Sequence, residues 1–160
     1  MRRSVLIKPE KYWLLPVMVL QALLFLSFIA DTDEQKLLDW GNRCFCESYD
    51  ASGDTSLKKY DLVLTHNAFI RLLKTYQNGK QEYYSFQLHR LSEIKYIRNP
   101  DGDTLQFKTN ADDVISQTFN DPDGDLDSMV THLDIPVNTM PKRRLDSLQR
   151  VLDYFKNKSL

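Results

Sequence analysis

The sequence predicts an α+β protein: an antiparallel β-sheet sandwich or partly open barrel of six to seven strands, capped by a C-terminal amphipathic helix and preceded by an N-terminal transmembrane helix. Three observations predict it. Residues 12–30 carry no charge at all. Residues 60–119 alternate in polarity between strong turn signals. Residues 142–157 then return to a helical period, with Leu145, Leu148, Leu152 and Phe155 on one stripe.

The chain has 160 residues, which leaves room for one domain and little else. Its 21 Lys and Arg nearly balance 22 Asp and Glu, so no global charge draws it to nucleic acid. A hydrophobic content of 42% excludes a wholly disordered chain, and two cysteines are too few for a disulfide-built scaffold.

The apolar run YWLLPVMVLQALLFLSFIA is ~28 Å long as a helix, close to the hydrocarbon thickness of a bilayer. Tyr12 and Trp13 stand at its N-terminal edge, where amphipathic rings favour the headgroup layer, and Pro16 falls near the first turn. Either an uncleaved anchor or a cleaved signal sequence fits the run. Cleavage after Ala30 would put Phe28 where a small residue is preferred, which favours the anchor. Arg2, Arg3, Lys8 and Lys11 precede the span, so the N-terminal tail 1–11 is expected in the cytoplasm and the C-terminal domain outside it, in the periplasm or at the cell exterior.

Residues 31–58 read as a linker. DEQKLLDW could extend a helix briefly, with Gly41-Asn42 as its stop, and the Asp, Ser and Gly cluster after it is turn-like. Cys44 and Cys46 sit there as a C-x-C pair. Without a second Cys pair, a disulfide is expected over a metal site; a bridge within the pair is strained, which leaves pairing between two chains open.

A β-rich domain over 59–160 follows. DLVLTH places Leu62 and Leu64 on one face. AFIRLLKTY and KQEYYSFQL flank Asn78-Gly79, the strongest short hairpin signal, because both residues tolerate positive φ. EIKYIR and TLQFKT flank the turn Asn99-Pro100-Asp101-Gly102-Asp103, and DVISQTF supplies a sixth strand. In DLDSMVTHL the spacing of Leu126, Met129, Val130 and Leu133 predicts a short helix, broken by Pro136 and Pro141. Thr139 is the expected N-cap of the final helix, which should cover the apolar face of the sheet.

Leu62-x-Leu64-Thr65-x-Asn67-x-Phe69, Phe86-x-Leu88, Ile94-x-x-Ile97 and Thr104-Leu105-x-Phe107, ahead of one C-terminal amphipathic helix, resemble the strand order of bacterial pleckstrin-homology-like domains. The likeness spans residues 60–156. It implies a module that binds lipids, peptides or proteins more often than one that catalyses.

Two charged groups stand out. Asp123, Asp125, Asp127 and Asp134 fall at positions 1, 3, 5 and 12 of a calcium-loop spacing, but Ser128 occupies the position where the bend requires Gly. A turn whose acids favour a following helix is the simpler reading. Lys142, Arg143 and Arg144, with Arg150, form the dense basic group, which Arg71 and Lys74 could extend. Bases at a helix start oppose the macrodipole, so an anionic partner is the sharper reading and solvated surface charge the plainer one.

There is no phosphate-cradling glycine loop, G-x-S-x-G elbow or H-E-x-x-H helix, so neither catalysis nor a cofactor is expected. The sequence therefore points to a single-pass membrane protein that displays a non-catalytic binding or scaffold module in the cell envelope and docks another protein. A disulfide-linked or homo-oligomeric state is compatible with it. Two alternatives are a cytoplasm-facing module touching anionic lipid headgroups and a small exported thiol hydrolase using Cys44 or Cys46.

Overall fold

A computed structural model of the chain describes residues 33–158. The expected tail 1–11 and membrane span 12–30 lie outside the described residues, among which no helix is long and apolar enough to cross a membrane. The chain divides into two units after Lys36. Of the first, the described part is helical and carries an Asp33–Lys36 ion pair at 2.9 Å.

The second unit is α+β. It holds a helix over residues 37–48 (α1), eight strands and a C-terminal helix (α2, Lys142–Lys158). The strands are β1 (Leu57–Leu64), β2 (Phe69–Tyr76), β3 (Gln81–Gln87), β4 (Leu91–Ile97), β5 (Asp103–Thr109), β6 (Val114–Phe119), β7 (Asp127–Val130) and β8 (His132–Val137). They form two antiparallel sheets, ordered β1-β2-β3-β6-β7 and β4-β5-β8, and neither closes into a barrel. The Asn78-Gly79 hairpin is present, with Gly79 at φ +92°, where a Cβ would be strained.

Period-two alternation decides which faces are buried. In the larger sheet Leu62, Leu64, Ile70, Leu72, Phe86 and Val114 share the inner face. In the smaller sheet Leu105 pairs with Ile135, and Phe107 with Ile94 and Leu133. Helix α2 adds Leu148, Val151, Leu152 and Phe155 to the same core, the stripe its period predicts.

Three expectations are corrected. Residues 37–48 are a packed helix, where a linker over 31–58 was expected, and they bury Leu38, Cys44 and Phe45. Gly41 does not stop that helix: a Cβ there would stand 3.3 Å from Val151 Cγ1, so glycine serves the close approach of α1 to α2. Asn42 likewise continues the helix and turns its amide onto β1, accepting from Leu64 N–H at 2.7 Å and donating to Leu64 C=O at 3.0 Å.

Within DLDSMVTHL, β7 and the start of β8 are strand, where a helix was expected. Leu126 and Met129 are 54% and 55% exposed, so the helical spacing has no packing behind it. The segment instead pairs with β6, Val114 opposite Val130 and Ser116 opposite Ser128. Thr131 alone separates β7 from β8, and its carbonyl accepts from Thr109 N–H and Oγ1, both at 2.9 Å. That corner carries the chain from one sheet to the other, a common role for a bend between packed sheets. Six or seven strands thus become eight.

Thr139 is not the cap of α2. The first intrahelical bonds run from Arg144 N–H and Leu145 N–H to Pro141 C=O, so Pro141 is the boundary residue. Thr139 instead hydrogen-bonds the Asp103 carboxylate.

Tyr96 organises the entry to α2. Its hydroxyl donates to the Asp103 carboxylate and accepts from the buried Met140 N–H at 2.8 Å. The Tyr96 bond, with Thr139 second among the groups that stabilise the charge, holds the Asp103 carboxyl below its ordinary 3.8. A depressed carboxyl contributes stability above its unfolded pKa and loses it as pH falls through the lower folded value. Tyr96→Phe should therefore be destabilised near neutrality. The gap from wild type should narrow as pH drops below about 4, because wild type has more to lose on protonation of Asp103. Urea midpoints across a pH series check this; a gap that widens in acid contradicts it.

Candidate functional site

Helix α1 places Trp40, Arg43, Cys44 and Glu47 at i, i+3, i+4 and i+7, which is one face of a helix. Helix α2 does the same at its start with Arg143, Arg144 and Ser147. The two stripes, with Pro141, line an open groove of about 460 Å³.

Arg144 bridges it. Its Nη2 pairs with Glu47 Oε2 at 2.5 Å, and its Nε donates to Cys44 Sγ at 3.4 Å. The Cys44 bond, then the Glu47 bond, raise the guanidinium's pKa above its ordinary value, so it is a fixed charge at any working pH. Arg43 and Arg143 are exposed, and among the described residues neither guanidinium has a partner. Three guanidiniums thus face the single Glu47 carboxylate, beside the half-buried Trp40 ring.

The helix start adds to this field. The first turn of α2 holds no acid, and Pro141 has no side-chain oxygen to cap its free N–H groups. Positive charge therefore accumulates at this end of α2, and Glu47 is the acid that lines the groove with it.

A second concavity, of about 370 Å³, is lined by Ser56, Tyr76, Gln77, Asn78, Lys80 and Glu82. Its charges answer one another. Tyr76 Oη donates to Glu82 at 2.8 Å, Lys80 Nζ stands 3.4 Å from Glu82 and 2.9 Å from Asp121, and Lys74 lies 3.9 Å from Glu82. Burial first and the Glu82 bond second push the Tyr76 hydroxyl's pKa up. This network is internally satisfied; the α1–α2 groove is not.

The basic group expected from the sequence is divided by the fold. Arg143 and Arg144 line the groove, whereas Lys142 is exposed outside its lining and Arg150 donates to Asp146 C=O at 3.2 Å. Arg71 and Lys74 are an odd number apart on β2 and so face opposite sides of the sheet. Arg71 lies 5.4 Å from the centre of the Phe69 ring on the outer side, and Lys74 joins Glu82 on the inner. Sequence reasoning missed Trp40, Arg43 and Glu47; their helical spacing was the signal.

The acidic residues do not converge. Asp125 accepts from Asp121 N–H in the β6–β7 loop, Asp127 accepts from Gln117 on β6, and Asp134 accepts from Gln106 on β5, in the other sheet. Among the described residues no group of three His, Cys, Asp or Glu is placed to hold a metal ion. Cys44 is buried and Cys46 exposed, both with free thiols, as positions two apart on a helix turn to different sides.

Comparison with protein families, curated proteins and solved structures found no match.

Proposed function

We propose that this chain is a membrane-tethered, non-catalytic docking module of the cell envelope. In this reading residues 12–30 are the tether, the domain lies outside the cytoplasm, and its architecture is pleckstrin-homology-like. The antiparallel sheets and the packed C-terminal helix support that family reading. The observation that carries docking is the α1–α2 groove, an open cleft with guanidiniums on both walls that have no partner among the described residues and an aromatic ring beside them. Such chemistry recognises charge and shape without needing a nucleophile. Cys44, the thiol in the groove, hydrogen-bonds an arginine rather than a histidine base, which argues against the thiol-hydrolase alternative.

A photo-crosslinking residue at Ser147 tests this in intact membranes, with one at Lys59 on β1, outside the groove's lining, as the control. The expected result is a discrete protein adduct from Ser147 and none from Lys59. Adducts to lipid alone would favour the module that touches anionic headgroups, and no adduct from either position would end the docking reading.

A further inference from the structure

We infer that the α1–α2 groove takes an acidic segment of a partner protein, its carboxylates on Arg43 and Arg143 and an apolar side chain of the segment against Trp40. This rests on the docking reading above and names the chemistry of what docks. Lys142, Arg143 and Arg144 occupy the first turn of α2, where each opposes the helix dipole. No acid of that turn and no side-chain cap offsets them. An arrangement that helix stability disfavours is explained by an anion that completes it.

The geometry narrows the anion. Arg144 is already committed to Glu47 and Cys44, which holds the groove floor in place. Arg43 and Arg143 rise from different helices with their planar forks unoccupied, and a guanidinium fork matches a carboxylate in two parallel hydrogen bonds. Trp40 supplies an apolar surface in the same cleft, which a bare inorganic anion would not use. The volume, about 460 Å³, lies in the range of ligand-binding clefts. Guanidiniums from two helices beside one ring suit a segment that carries both carboxylates and an apolar side chain.

The test uses the full chain in nanodiscs of zwitterionic lipid. Its probe is a fluorescein-labelled decapeptide of Asp and Glu around one central Phe, read by anisotropy. The acidic peptide should bind, and its Asn/Gln counterpart should not. R43E/R143E should weaken binding about tenfold or more, W40A should weaken it several-fold, and Lys59→Glu should leave it unchanged. Circular dichroism melts keep folding separate, since both arginines are exposed. Equal binding of the neutral peptide, or an equal loss in Lys59→Glu, would overturn the inference. So would binding of anionic vesicles through Arg43 and Arg143 with none of the peptide. A Ser147 adduct that persists in R43E/R143E would sink acid recognition while sparing docking; absence of the adduct in wild type would sink docking itself.

Discussion

Phe107→Ala is expected to destabilise the domain by about 3–5 kcal/mol, the range for emptying a fully buried aromatic site. Phe107 is 0% exposed and stands where three layers meet. Phe45 of α1 meets its ring at 73° with centroids 6.2 Å apart, and Phe86 of β3 lies 5.7 Å away. Its own strand, β5, is the centre of the smaller sheet. Removing the ring withdraws contact from both sheets and a helix at once, so no single layer can collapse to fill the gap. Urea unfolding of the domain should show a large fall in midpoint with an unchanged slope. Phe107→Leu, which refills much of the volume, should recover most of the loss. A cost below about 1 kcal/mol for the alanine variant would mean the site is not close-packed.

Asn42→Leu is the second large effect, at about 2–4 kcal/mol, and it arises from hydrogen bonding rather than volume. The Asn42 amide engages both backbone groups of Leu64, itself 1% exposed at the end of β1. Leucine has a similar size but leaves a buried N–H and a buried C=O without their amide partner, each carrying a desolvation cost. Asn42→Asp separates the two bonds: its carboxylate can accept from the Leu64 N–H but faces the Leu64 carbonyl with no donor. Hydrogen exchange at the Leu64 amide is the direct readout. It should accelerate strongly in Asn42→Leu and less in Asn42→Asp.

These two residues mark the limits of what the sequence discloses. Phe107 was legible, because Thr104-Leu105-x-Phe107 alternates and the turn before it is strongly signalled. Strands β2 to β6 and helix α2 were legible because each is a strand-compatible or helical-period run between breakers. Asn42 was not, since Gly-Asn after a short amphipathic stretch is a usual helix stop. Only the tertiary neighbour Val151, invisible in sequence, makes Gly41 a packing residue. β7 misled in the opposite way. Leu126, Met129, Val130 and Leu133 match a helical face by coincidence, and an edge strand half open to solvent need not alternate. The candidate site suffered accordingly. Its α2 wall was found through Arg143 and Arg144, while its α1 wall lay inside the supposed linker.

The contact of Gly41 with Val151 joins an early helix to the last one, across the whole interval between them. Leu148, Val151, Leu152 and Phe155, which seal the interior, all come from α2, which follows every strand in the order of elements. The fold is therefore incomplete until α2 has formed and packed against α1 and the sheets. Until α2 packs, the apolar sheet faces and the inner side of α1 are exposed to aggregation.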